Sequence, residues 1–239
     1  MVVSPAIKNK LFCKGCEYIM ANQEIYVNEE VVLNKVAIYT FLQKFYAGHL
    51  NKLKESDWKE LIKLINNEWV ILSNGDPEKV LHKFHEVSKE DLEELEYEFN
   101  RLFVGPNRLE ASPYESTYRN DQRSLMQFET LAVRRFYEKA GLEVSKKNVE
   151  PDDHLALELE FVCYLLENNK ESDKYYKMYQ DFLKEHLLQW TETHCELVRE
   201  KTKNNILIGI SYLLQNLLSE EKIQLSLKGA FLLEVFSGT

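Results

Sequence analysis

Glu150-Pro151-Asp152-Asp153-His154-Leu155-Ala156-Leu157-Glu158-Leu159-Glu160-Phe161-Val162-Cys163-Tyr164-Leu165-Leu166-Glu167 holds a helix start and the apolar line behind it. Pro151 biases Glu150 away from helix. Asp152 is placed to accept hydrogen bonds from the first free backbone amides. Asp153 gains from the positive end of the helix dipole. Leu155, Leu159, Val162 and Leu166 then fall on one line, with Phe161 and Leu165 beside it, as in a helix that buries one side. Capping accounts for the two aspartates but does not require His154. Several carboxylates and an imidazole around one helix end suit a guanidinium or ammonium partner through charge-assisted bonds.

Working back from this stretch, Ser124 to Gln127 reads as a capping box ahead of a helix carrying Phe128, Leu131, Phe136 and Tyr137, with Gly141 at a C′ position. Before it, residues 105–123 have no helical period, and loops this long inside compact domains are usually functional or disordered. Tyr114 and Tyr118 argue for an ordered loop. Ser88-Lys89-Glu90-Asp91 is another capping box, followed by Leu92, Leu95, Phe99, Leu102 and Phe103 on one face. Glu90, Asp91, Glu93, Glu94, Glu96 and Glu98 form the expected solvated side, and Gly105-Pro106 stops the helix.

Further out, a helix is expected from about Asn28 to Leu50. A second, capped by Ser56 and carrying Trp58, Leu61, Ile62, Ile65 and Trp69, ends at Asn74-Gly75. Asp76-Pro77 then starts a short helix to about Glu86. On the other side, Ser172 begins a helix with Tyr175, Tyr176, Tyr179, Phe182 and Trp190, a stripe that reads as core. The pattern from Thr191 to Leu218 fits one helix or two.

The totals agree with an all-α chain. With 8 Gly and 5 Pro in 239 residues there are few turns, which favours long helices. A chain 44% hydrophobic has ample material for a buried core. We expect a single-domain multi-helix bundle over residues 1–239, with an irregular arm at 1–27, a functional loop at 105–123 and a tail at 220–239. The tail's apolar run, Ala230 to Phe236, is too short to span a membrane.

The formal net charge is -9, which disfavours nucleic acid and would steer a basic ligand. Residues 1–20 carry Lys8, Lys10, Lys14 and Glu17, so no signal-peptide core is expected there. A cytoplasmic protein is the expectation. Cys13 and Cys16 lack a second pair at metal-ligand spacing and read as reduced thiols, and Cys163 and Cys195 read as core.

Neither phosphate-binding glycine motif occurs, nor does a nucleophile elbow. His154 and Glu158 share a helix face at a spacing that suits a metal. Matching Glu-x-x-His pairs on other helices are missing, so a metal-dependent hydrolase is the alternative and not the main expectation. A structural assembly subunit that dimerises through the tail is another.

Taken together, the motifs carry a family resemblance. They are Tyr97-Glu98-Phe99-Asn100-Arg101-Leu102-Phe103-Val104-Gly105-Pro106, Pro113-Tyr114-Glu115-Ser116-x-Tyr118, Gly141-Leu142, and Glu150-Pro151-Asp152-Asp153-His154-x-x-x-Glu158-x-x-Phe161. In order and spacing, over roughly residues 90–170, they resemble the TorD/DmsD family of cytoplasmic molybdoenzyme maturation chaperones, related to the NarJ group. Tyr114 stands where members often have tryptophan, and Ser112 where they often have a second proline.

The resemblance implies a binding protein and not an enzyme. Such a chaperone binds the twin-arginine signal peptide of a molybdopterin oxidoreductase precursor and delays export until cofactor insertion and folding are complete. Asp152, Asp153, His154 and Glu150 would lie at the peptide groove. Pro113, Tyr114, Glu115, Ser116 and Tyr118 would form the facing loop, aimed by Gly105 and Pro106. The resemblance also implies weak guanine-nucleotide binding as a minor trait, no metal, no stable membrane insertion, and a monomer or homodimer.

Overall fold

The computed structural model describes residues 29–72, 82–106, 109–120, 125, 128–144, 151–169 and 173–237. Among these there are helices and turns but no strand. The helices are α1 (Glu29–Tyr46), α2 (Glu55–Leu72), α3 (Lys89–Phe99), α4 (Ser116–Arg119), α5 (Phe128–Lys139), α6 (Leu155–Glu167), α7 (Asp173–Phe182), α8 (Leu188–Lys201) and α9 (Asn205–Ser237). A helical turn at 82–85 precedes α3.

Helix α6 is the centre of the packing. Its Leu155, Leu159, Phe161, Val162 and Leu165 are fully buried, each worth roughly 1.5–3 kcal/mol. Helix α1 lies along it and also contacts α2, and α7 packs on α6. Helix α8 folds back on α9, which in turn touches α3. Buried residues from α1, α2, α3, α5, α6, α7, α8 and α9 form one continuous core.

Two aromatic clusters stiffen that core. Phe136, Tyr137, Phe161 and Phe182 join α5, α6 and α7, with ring centroids of Tyr137–Phe161 and Phe161–Phe182 both 4.8 Å apart. Phe45, Phe99, Phe103, Tyr46 and His194 join α1, α3 and α8.

Local signals explain most helix ends. Ser88 and Asp91 form the expected capping box, the Asp91 amide donating to Ser88 Oγ at 3.1 Å and the Ser88 amide to Asp91 Oδ2 at 2.8 Å. Gly141, at φ 78°, ends α5 as a Schellman motif: its amide donates to the Glu138 carbonyl, and that of Leu142 to Tyr137. The Thr191 to Leu218 pattern resolves into two helices because Asn204 Oδ1 accepts from the Ile206 and Leu207 amides and starts a new one.

Three expectations fail here. Ser56 does not cap α2, which begins at Glu55; its hydroxyl donates to Asp57 instead. Asp91 and Glu98 are not solvated. Asp91 is buried against Asn205, and Glu98 takes a hydrogen bond from Thr202 and an ion pair from Arg101. Gly105 does end the helical run, as expected, after α3 widens into a π-helical turn, Asn100–Val104, closed by the Gly105 amide on the Asn100 carbonyl. Phe128 and Leu131 are not core: they are 69% and 48% exposed, since α5 turns its other side inward. The arm at 1–27, Cys13 and Cys16, Asn74-Gly75, Asp76-Pro77, Ser124, Gln127, Glu150 and Ser172 lie outside the described residues, as do the side chains of the apolar tail run.

Candidate functional site

The two motifs meet backbone to backbone. The Glu115 amide donates to the Asp153 carbonyl at 3.1 Å, and the Leu155 amide to the Pro113 carbonyl at 2.8 Å. This makes a short antiparallel bridge centred on Tyr114 and His154, whose rings meet edge to face with centroids 4.8 Å apart. The loop is thus paired with the residues that start α6. The short helix α4, which follows at Ser116–Arg119, was not expected in this loop.

His154, not Asp152, caps α6. Its backbone is extended and its Nδ1 accepts from the Ala156 amide at 3.1 Å. This overturns the expectation that Asp152 does the capping and that His154 is surplus to it. Asp152 is drawn away by α5: Arg134 Nε donates to its Oδ2, and the Tyr137 hydroxyl donates to its carbonyl at 3.0 Å.

Asp153 is fully buried and already engaged. Its Oδ2 accepts from the Ser116 amide at 2.8 Å and its Oδ1 from Thr130 Oγ1 at 2.7 Å. Glu115 is equally buried, ion-paired with Arg119 and hydrogen-bonded at 2.7 Å to His186 Nδ1. Arg119 also donates to the Glu185 carbonyl at 2.8 Å. Asp153 and Glu115 therefore fasten the loop from below, and what they present to solvent in this structure is nothing.

The half-buried face of the junction is made by Tyr114, His154, Tyr118 and Ser112. Tyr118 lies over Trp190 at 5.2 Å, and its hydroxyl donates to the Ser112 carbonyl at 2.7 Å. His194 sits beneath, with Nδ1 3.1 Å from the same carbonyl and Nε2 3.0 Å from the Tyr46 hydroxyl. Burial pushes His194 down to about 3, against the Ser112 hydrogen bond that favours its charged form. The neutral ring carrying its proton on Nδ1 satisfies both contacts, with Ser112 accepting and Tyr46 donating. Pro113 is buried, Gly105 holds φ 104°, and Pro106 is exposed beyond it. The Ala111 amide donates to the Leu102 carbonyl at 3.3 Å, which returns the loop onto the π-helical turn.

Several participants carried no signal that was used in the sequence. His186 is turned inward by a second π-helical turn, Leu183–Leu187, between two buried leucines. His194, Trp190, Arg119, Thr130 and Arg134 come from outside both motifs. A histidine flanked by apolar residues at helical spacing is a readable cue for His186 and His194. Nothing local marks Thr130 or Arg134, whose partners lie 23 and 18 residues away.

Glu158 lies one turn along α6 from His154. It is fully buried and accepts from Trp190 Nε1 at 3.4 Å. Burial, then the nearby charges of Glu115 and Asp153, hold its carboxyl well above the usual carboxylate range. With His154 Nδ1 taken by capping and Glu158 sealed inside, the pair is not arranged as metal ligands. Among the described residues no group of three or more His, Cys, Asp or Glu is placed to hold a metal. Cys163 and Cys195 are free thiols pushed up to about 12 by burial, as inert core thiols are. No helix among the described residues is long and apolar enough to cross a membrane.

Comparison with known proteins places these observations. The family described as nitrate reductase delta subunit matches residues 72–196, which include both motifs and the bridge between them. A Haemophilus influenzae protein named a probable Tat proofreading chaperone DmsD is 31% identical over 93 residues, 39% of this chain and 43% of its own. The Vibrio cholerae chaperone protein TorD is 31% identical over 109 residues, 43% of this chain and 49% of its own. The Salmonella typhi Tat proofreading chaperone DmsD is 26% identical over 128 residues, 54% of this chain and 60% of its own. The chain spans about half the length of the curated relatives it matches. A crystal structure from Archaeoglobus fulgidus, proposed there to be a redox enzyme maturation protein, covers 86% of this chain and 97% of its own, with 16% identity and a TM-score of 0.41.

Proposed function

This chain belongs to the nitrate reductase delta subunit family, and from that membership and the geometry of the motif junction we propose that it is a redox-enzyme maturation chaperone. It binds the twin-arginine leader of a molybdopterin-dependent oxidoreductase precursor in the cytoplasm and delays export until the cofactor is in place. It acts by binding and not by catalysis. Its relatives bear the names of TorD and of Tat proofreading chaperones, which supports this reading.

The observation that carries it is the antiparallel bridge joining Pro113–Glu115 to Asp153–Leu155. A helical protein has no structural need to pair two proline-marked segments and cover the pairing with Tyr114 and His154. Beside the bridge, α5 has two faces. Thr130, Arg134 and Tyr137 face inward to hold the aspartates, while Phe128 and Leu131 look out and Leu125 is exposed just before them. A twin-arginine leader has a basic end and an apolar run. The α5 face supplies an apolar wall for the run, and the acidic chain steers the basic end. The leader orders as it binds, which lowers affinity and leaves the complex reversible for export.

The test is calorimetric titration with a synthetic leader carrying an Arg-Arg pair ahead of an apolar run. Tyr114→Ala removes the ring over His154 without touching a buried carboxylate, and is expected to weaken binding at least about tenfold, 1.4 kcal/mol. Phe128→Ser is expected to do the same while leaving stability unchanged. No binding by the wild-type chain, or binding by both variants as tight as that of the wild type, would sink the reading.

A further inference from the structure

Three side-chain atoms buried at the motif junction have no protein partner: Ser116 Oγ, Asp152 Oδ1 and Glu158 Oε1. Buried polar atoms are normally paired, and unpaired ones in one place ask for an explanation. Ser116 Oγ and Glu158 Oε1 belong to the contact of segment 113–119 with α6, whereas Asp152 turns its carboxylate to Arg134 on α5. The carboxyls of Glu115, Asp153 and Glu158 also gather there, under that segment, with no exposure.

Segment 113–119 is tied down by polar contacts as well as by its rings. The polar contacts include the two backbone bonds of the bridge, the Ser116 amide on Asp153, the Glu115 contacts with Arg119 and His186, and the Arg119 bond to the Glu185 carbonyl, while Tyr114 rests on His154 and Tyr118 on Trp190. We propose that this segment is a latch over a concealed cation site, and that it lifts so that a guanidinium or ammonium group of the bound peptide pairs with Glu158 beside Asp153. The proposal rests on the peptide-binding reading above and adds to it a recognition residue, Glu158, and a moving part.

The chemistry follows from what faces Glu158 on each side. The latch brings Glu115 and Arg119, the start of α6 brings Asp153, α5 brings Tyr137, and α8 brings Trp190, with His186 beyond them on Glu115 and Arg134 on Asp152. In the closed state burial disfavours a charged Glu158, and the like charges of Glu115 and Asp153 add to that, while Trp190 and Arg119 oppose it more weakly. The closed state therefore favours the protonated form of Glu158. Lifting the latch admits water and carries Glu115 away, so Glu158 ionises and its proton leaves to bulk water. An entering cation then neutralises Glu158 and Asp153 together. Opening is favoured by higher pH and by cations, and binding releases a proton.

Calorimetry of the full chain with the same synthetic Arg-Arg peptide, repeated in buffers of differing ionisation enthalpy, counts that proton. The wild type is expected to release about one proton per peptide and to bind up to about tenfold tighter per pH unit as pH rises above the ordinary glutamate range. Glu158→Gln keeps the shape and the neutral state, and is expected to release none, to bind about tenfold more weakly and to lose the pH dependence. Binding by the wild type with no proton release overturns the proposal, because the three unpaired atoms then hold water only. Equal proton release by both proteins also overturns it, since His186 or another group then supplies the proton.

A second arm needs no peptide. After correction for intrinsic exchange, protection of the Glu115, Ser116 and Leu155 amides is expected to fall as pH rises in the wild type and to stay level in Glu158→Gln. Level protection in the wild type overturns the latch. A pH-dependent latch in a chain that fails to bind the peptide supports the latch and sinks the peptide reading instead, which separates the two.

Discussion

Asp91 and Asp153 are both carboxylates beside a helix start, both buried, and both tied to segments distant in sequence, yet their surroundings differ. Asp91 has a donor for each need. Ser88 supplies its amide and hydroxyl, and Asn205 its amide and side chain. Burial acts to raise its pKa, but those hydrogen bonds outweigh it and hold the group below the ordinary aspartate range. Around Asp153 carboxyls gather faster than donors: Glu158 keeps one oxygen unpaired and is pushed up. The first junction, between α3 and α9, is a finished joint. The second has polar valence left over, and it is the one where the two family motifs meet.

Substitutions can break or sharpen this contrast. The largest effect expected is from Asp153→Ala. It strands the Ser116 amide and the Thr130 hydroxyl in a dry junction, and should cost about 3–4 kcal/mol in urea unfolding, with loss of the bridge. Asp91→Ala should cost somewhat less, about 2–3 kcal/mol, because Asn205 lies nearer solvent and water replaces part of what is lost. A larger loss from Asp91 than from Asp153 would reverse the ranking of the two joints.

The pH profiles should run in opposite directions. Asp91 has a lowered folded pKa, so its contribution is present above the ordinary aspartate range and lost as pH falls through the folded value. Glu158 has a raised folded pKa, so its contribution is present below the ordinary glutamate range and lost as pH rises through the folded value. Glu158→Gln should therefore stabilise the chain near neutral pH by about 1 kcal/mol and flatten the high-pH limb, as read by thermal melts in a pH series. His194, pushed down to about 3, adds an acid-side loss: stability falls as pH drops from the ordinary histidine range toward 3. His194→Gln should remove that part of the acid limb and leave the Asp91 part. The smallest effect belongs to Gly141→Ala. At φ 78° with open space around its Cβ position, it should cost about 1 kcal/mol or less, and peptide binding should be untouched.

Much of this was legible along the chain because the signals are local. Helical periodicity located α6 and the start of α3, the Ser88–Asp91 box needs only four consecutive residues, and Gly141 marks its own turn. Both motifs stood out as proline-marked interruptions in a helical pattern. Their being joined was legible only through family resemblance, since no local rule pairs residue 114 with residue 154. The roles within the site were misassigned wherever a distant donor competed with a local one. Asp152 is a good cap by type, but the Arg134 guanidinium outcompetes a backbone amide for it, and the imidazole of His154 takes the vacated task.

By itself, the sequence determined an all-helical chain, its principal helix starts, its acidity and the two motifs, because each depends on residues within a turn or two of one another. Only the tertiary structure decided which carboxylates face solvent and which face inward. Burial and charge pairing are set by neighbours far apart along the chain: Glu115 with His186, Asp153 with Thr130, Glu158 with Trp190. A carboxylate has the same formula in solvent and in a sealed junction, and its surroundings decide whether it binds, fastens or holds a proton.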